Sequence, residues 1–135
     1  MRTKQPSQRQ LRVGEEIRHI LSDVLARQNI HHPLIYGKLI TITEVKVSPD
    51  LKNAIAFVMS SSNNDIDSIL EGLETSKKYF KQELAKTLRL RFMPELKFVY
   101  DNRLEEALRI ENLLNLPDVV RDLKKDADAN GDSIL

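Results

Sequence analysis

The chain has no cysteine. Disulfides and cysteine-based metal sites are therefore excluded, and a reducing compartment is permitted. Glycine is scarce: Gly14, Gly37, Gly72 and Gly131 are the only four. They form neither a phosphate-binding P-loop nor a dinucleotide fingerprint, so no nucleotide cofactor is expected. Histidine is limited to His19, His31 and His32, with no acid at a supporting spacing, and no metal site is expected. A Ser–His–acid arrangement with a recognisable elbow is missing. Asp50 and Asp101 fit turn and cap roles better than an acid–base pair. The sequence thus supports neither an enzyme nor a small-molecule substrate. Long apolar runs are also lacking, since no window approaches the roughly 18 apolar residues of a membrane span. The basic N-terminus, MRTKQPSQRQLR, leads into no apolar h-region, so no secretion signal is expected and the expected location is cytoplasmic.

Net charge is small, +1 over 135 residues. Its distribution is not even. Residues 1–74 hold nine cations and nine acids, residues 75–100 seven cations and two acids, and residues 101–135 five cations and nine acids. The mild total conceals a basic middle and an acidic tail. The basic residues concentrate in Thr75 to Arg91, TSKKYFKQELAKTLRLR, where Lys77, Lys78, Lys81, Lys86, Arg89 and Arg91 face one acid, Glu83. Phe80, Leu84 and Leu88 recur there at helical spacing. An amphipathic helix with such a cation excess and no regular acidic partners reads as a surface for a polyanion, and phosphate backbones are the polyanion it fits best. The alternative is a solvated face without a partner. Arg89 and Arg91 could equally serve solubility at a strand edge. Arg2, Lys4, Arg9 and Arg12 precede any acid and make the N-terminal arm basic too.

With 41% hydrophobic and 30% charged residues, the composition is that of a soluble globular protein, and 135 residues suffice for a single domain with a real core. Residues 1–8 read as a flexible basic arm. Val13, Ile17, Ile20, Leu21, Val24 and Leu25 share one face of a helix from about Arg9 to Arg27. His31-His32-Pro33 and Gly37 mark a connection. Leu39 to Val47 and Asn53 to Ser60 read as strands, and the Ser48-Pro49-Asp50 turn between them favours antiparallel pairing. The second strand is apolar on both faces and is expected inside the sheet or under a helix layer. The loop Ser60 to Asn64 is expected to cap the next helix. Ile66, Ile69, Leu70 and Leu73 mark that helix; its stripe breaks at residues 74–78 and resumes at Phe80. Two helices joined by a kink near Ser76 are predicted. Leu96 to Tyr100 is the third strand. Asp101 or Asn102 is expected to cap a last helix from Arg103 to Leu114. Residues 117–135 read as an acidic, disordered tail.

This order, helix-strand-strand-helix-helix-strand-helix, gives an α+β domain, a three-stranded mixed sheet with helices on one face, and it matches the type II K-homology fold. The local sequence resembles ribosome-binding factor A. The matching pieces are Arg12-Val13 and Glu16-Ile17, Ile40-Thr41-Ile42-Thr43, Val45-Lys46-Val47-Ser48-Pro49-Asp50-Leu51, Ala54 with Phe57-Val58, Glu83-Leu84-Ala85-Lys86, Leu88-Arg89-Leu90-Arg91, and Pro94-Glu95-Leu96-Lys97-Phe98 with Asp101. They span about Arg9 to Leu116, and the SPDL and PELKF segments at this separation are specific only in combination. The resemblance implies a domain over residues 9–116 that acts as an assembly factor. Such a factor binds the free small (30S) ribosomal subunit and its 16S rRNA, assists late maturation including 5′-end processing, and is associated with growth in the cold. A monomer is expected. A general RNA-binding module and a protein-interaction domain remain as other classes.

K-homology domains clamp a nucleic-acid backbone with a Gly-x-x-Gly loop. Here a kinked helix pair stands in its place, at Ser76-Lys77-Lys78. Lys78 occupies a position where glycine is common in the family. Two geometries are open: a left-handed residue, at a cost of roughly 1–2 kcal/mol for lysine, or ordinary geometry with Ser76 as N-cap. Lysines at a helix start oppose the dipole, and a bound phosphate would reverse that sign. The expected RNA contacts are Ser76, Lys77 and Lys78 at the joint, then Lys81, Lys86, Arg89 and Arg91 along and beyond the helix, with Arg9 and Arg12 as a second contact. Tyr79 is either a stacking surface for a base or a packing residue.

Overall fold

The computed structural model describes residues 5–61 and 63–114. The chain divides into two compact units, one ending at Asp101 and one beginning at Asn102. The expected tail at 117–135 and the first four arm residues lie outside the described residues.

Helix α1 runs Gln8–Ala26. It starts at Ser7 because a capping box forms there: the Ser7 hydroxyl accepts from the Gln10 N–H at 3.1 Å, and the Gln10 side chain accepts from the Ser7 N–H at 2.9 Å. Helix α1 with its cap thus begins one or two residues before the expected boundary. Helix α1 ends at Arg27, and Gln28 follows with φ 56°, the left-handed stop that often closes a helix. His31 and His32 shape the following connection. The His31 ring stacks on Tyr36 at 4.7 Å, and Nδ1 of His32 accepts from the Leu34 N–H at 3.1 Å.

Strands β1 (Ile40–Val47) and β2 (Asn53–Ser60) pair antiparallel, and β3 (Glu95–Tyr100) pairs parallel with β2. The sheet order is β1-β2-β3, so the strand that is apolar on both faces is the central one. The turn between β1 and β2 uses its polar residues as expected. Asp50 accepts from the Ser48 hydroxyl at 2.6 Å and from the Lys52 N–H at 3.0 Å, while Leu51 takes φ 63°.

A bulge in β1 sets its register. Ile42 pairs with Val58 and Glu44 with Phe57, leaving Thr43 as the extra residue. Side chains alternate along a strand, so this one residue reverses the parity. Ile42 before the bulge, and Val45 and Val47 after it, all reach the same buried face. Their partners Val58, Ala56 and Ala54, with Leu96 and Phe98 of β3, complete that face.

Helix α2 covers Ile66–Thr75 and α3 covers Lys77–Thr87. Together they form the crossover that a parallel β2–β3 pair requires. Val13, Ile17, Leu21 and Val24 of α1, Ile69 and Leu73 of α2, and Phe80 and Leu84 of α3 join the sheet residues in one core. Phe80 meets Phe98 with ring centroids 5.3 Å apart. Each fully buried side chain of this size contributes roughly 1.5–3 kcal/mol. All three helices therefore lie on one face of the sheet.

One expected cap takes another form. The loop before α2 runs through a 3-10 turn, Asn63–Asp65, and Asp65 makes no side-chain cap. Its carboxylate accepts from Nζ of Lys38 at 2.6 Å instead, and an ion pair to a charged partner outcompetes a neutral N–H. That hydrogen bond also holds the Asp65 pKa below the ordinary aspartate range. In the second unit, α4 spans Arg103–Leu114, as expected, and the Glu106 N–H bonds the Asn102 carbonyl at its start. The Asp101 carboxylate is buried and accepts from the Thr43 hydroxyl at 2.6 Å.

Candidate nucleic-acid interface

The joint between α2 and α3 is one residue, Ser76, with φ −91° and ψ 8°. Its N–H is shared between the carbonyls of Gly72 at 3.0 Å and Leu73 at 3.2 Å. Its carbonyl accepts from the N–H groups of Tyr79 and Phe80 at 3.0 and 3.3 Å. The kink thus needs no left-handed residue, and Lys78 sits in ordinary helix without that strain. The expected Ser76 hydroxyl cap is not formed. Ser76 marks the helix start by its backbone alone, and the N–H groups of Lys77 and Lys78 lie at the open end of α3. A hollow of about 410 Å³ opens beside the joint, lined by Asn29, Ile30, Ser76, Lys78, Tyr79 and Gln82. Tyr79 packs partly against the core and also forms part of that wall.

The cations of α3 divide into two groups. Three have acidic partners, two of them three residues away in sequence and one far along the chain. Nζ of Lys77 lies 2.5 Å from Glu74, on the preceding helix. Lys81 reaches Glu95 at the start of β3, at 3.2 Å. Lys86 holds Glu83 at 3.0 Å, with Arg27 of α1 on the same carboxylate at 3.5 Å. The Glu83 side chain is only 10% exposed. The hydrogen bond from Lys86, helped by Arg27, holds its pKa below the ordinary glutamate range. Glu83 is thus a bracket between α1 and α3 and not a stray acid in a basic run.

The second group comprises Lys78, Arg89 and Arg91 with Arg9 and Arg12. Among the described residues none of these five has an ion pair. Helix α3 stops at Thr87, and Leu88 leaves it in extended geometry, so Arg89 and Arg91 stand on the connection to β3. Arg9 and Arg12 lie three residues apart on α1, on neighbouring turns. Arg9 comes together with Arg91 around a second hollow, of about 300 Å³, which Lys52, Leu51, Leu90 and Phe92 also line. Lys52 and Phe92 belong to this surface although the sequence reading passed over both. Their only linear signal was proximity to the β1–β2 turn and to Arg91.

The family model described as ribosome-binding factor A matches residues 9–114. The chain belongs to the ribosome-binding factor A family. Relatives of that name include the protein of Afipia carboxidovorans, 48% identical over 92% of this chain and 88% of its own length. The one from Bradyrhizobium diazoefficiens is 43% identical over 92% of this chain and 86% of its own. Among solved structures, a putative ribosome binding factor A of Thermotoga maritima superposes with a TM-score of 0.60 at 26% identity, covering 71% of this chain and 90% of that one. A ribosome binding factor A of Thermus thermophilus, fitted as a homology model into the cryo-electron-microscopy map of a 30S complex, gives 0.54 at 16% identity, over 68% and 94%. The ribosome-binding factor A fold is thus shared.

Proposed function

We propose that this chain is a ribosome assembly factor that binds the free small ribosomal subunit and its 16S rRNA. In this reading it assists late maturation, including processing of the 16S 5′ end, and acts in the cytoplasm as a monomer. It works by binding and not by catalysis. The single observation that carries the reading is the family match across residues 9–114. The relatives at 43–48% identity support it over nearly the whole chain. No described helix is long and apolar enough to cross a membrane.

The interface is proposed to be electrostatic and shape-based. Phosphates sit at the joint on Lys78 and the open N–H groups of α3, and on Arg9, Arg12, Arg89 and Arg91 at the other end of the helix. Lys77, Lys81 and Lys86 shape the field from within ion pairs. Co-sedimentation of the full chain with free small subunits, large subunits and assembled ribosomes tests this. Binding confined to free small subunits is expected. Equal binding to all three would leave a general RNA-binding module, and binding to none would remove the ribosomal reading.

A further inference from the structure

We propose that the hollow at the C-terminal end of α3 holds one unstacked nucleotide of single-stranded RNA. Its base lies against Phe92, and its neighbouring phosphates rest on Arg9, Lys52 and Arg91. The proposal rests on the RNA-binding reading above and adds to it a contact that sees a base.

Phe92 is the observation that starts the argument. In the connection from α3 to β3, Leu88 and Pro94 are buried, and Leu90 and Met93 pack against the core. Phe92 alone among these apolar residues stays 64% exposed. The core therefore does not explain it. A guanidinium lies over its ring, with Cζ of Arg91 5.7 Å from the centroid. An exposed aromatic ring and a guanidinium plane are the two kinds of surface on which unstacked bases settle.

The cations converge from three separate parts of the chain: Arg9 from α1, Lys52 from the β1–β2 turn and Arg91 from the α3–β3 connection. Convergence of this kind is not a by-product of one basic helix face. Asp50 also lines the hollow, but its carboxylate is engaged by the Ser48 hydroxyl and the Lys52 N–H. Glu95, whose N–H bonds the Lys52 carbonyl, gives its carboxylate to Lys81. The remaining excess is positive. The Leu51 backbone, fixed at φ 63° by its N–H bond to Ser48, presents Lys52 in one place. The hollow, about 300 Å³, is of the size that holds a small planar ligand. An acidic peptide would satisfy the cations but would leave the ring without a purpose; RNA uses both.

The test is fluorescence anisotropy with the full chain against a labelled single-stranded RNA, the same RNA as a duplex, and a polyglutamate peptide. Phe92→Ala should weaken single-strand binding about 5- to 100-fold. Its duplex binding and melting temperature should stay as in the native chain, because the ring is not in the core. Phe92→Tyr should restore single-strand binding. An unchanged single-strand affinity in Phe92→Ala, or an equal loss on single strand and duplex, would overturn the proposal. So would polyglutamate competing as well as RNA and losing its affinity in Phe92→Ala. Native chain that fails to co-sediment with small subunits, while Phe92→Ala still loses single-strand binding, would instead defeat the ribosomal reading and leave this site standing.

Discussion

Gly14 sits where α1 crosses the sheet, and a β-carbon there would lie 2.6 Å from the carbonyl oxygen of Val45. The obstacle is backbone and cannot rotate away. Gly14→Ala should therefore destabilise the chain by about 1–3 kcal/mol, read as a lowered midpoint in thermal or urea denaturation. Gly72 makes a similar close approach, to the methyl of Ile35, where a side chain can give a little. At Glu83 the effect is one of pH. Its native pKa is lowered, so the stability it contributes is complete above the ordinary glutamate range and is lost as pH falls through the lowered value. Glu83→Gln should be less stable at neutral pH and should lose less stability than the native chain on acidification. Denaturation midpoints across an acid series measure both.

At the scale of elements, the β1 bulge and the α2–α3 joint carry the most weight. Deleting Thr43 would remove the parity change between Ile42 and Val45. One end of β1 would then turn its apolar residues away from the core. Loss of cooperative unfolding is the expected result, seen by circular dichroism. Thr43→Val is milder: it keeps the register and removes only the hydroxyl that donates to buried Asp101, at a cost of about 1–3 kcal/mol. At the joint, the two lysines should differ. Lys77 is already paired with Glu74, whereas Lys78 has no ion pair among the described residues and faces the hollow. Lys78→Ala should weaken small-subunit binding several-fold and Lys77→Ala less, as measured by co-sedimentation at fixed salt. Equal effects would mean that the Lys77–Glu74 pair opens on binding.

The whole molecule hides a strong local field behind a net charge of +1. Five cations without an ion pair among the described residues, Arg9, Arg12, Lys78, Arg89 and Arg91, are proposed to meet phosphates. Neutralising about five phosphates predicts that log affinity falls with log salt at a slope of roughly −4. A slope near zero would deny that phosphate contact dominates. Removing Arg89 and Arg91 together should shallow the slope by roughly two, because each contact releases about one counterion.

The element order, the central position of β2 and the break at Ser76 were all legible in the sequence, because each follows from local periodicity. Apolar residues at period two on both faces mark an interior strand, and a stripe that skips residues 74–78 cannot be one straight helix. Family membership was legible too, in the SPDL and PELKF segments. The Lys86–Glu83 pair lies at helical spacing within α3, but the sequence could not say that the other paired cations are spent. Glu74 lies across the joint on α2 and Glu95 is fourteen residues from Lys81, so those pairs depend on how α2, α3 and β3 are arranged. The same packing brings Arg9, Lys52, Arg91 and Phe92 around one hollow from positions that share no period. Periodicity reports which face of an element is buried; only the tertiary arrangement decides which charges that burial brings together and which it leaves for a partner.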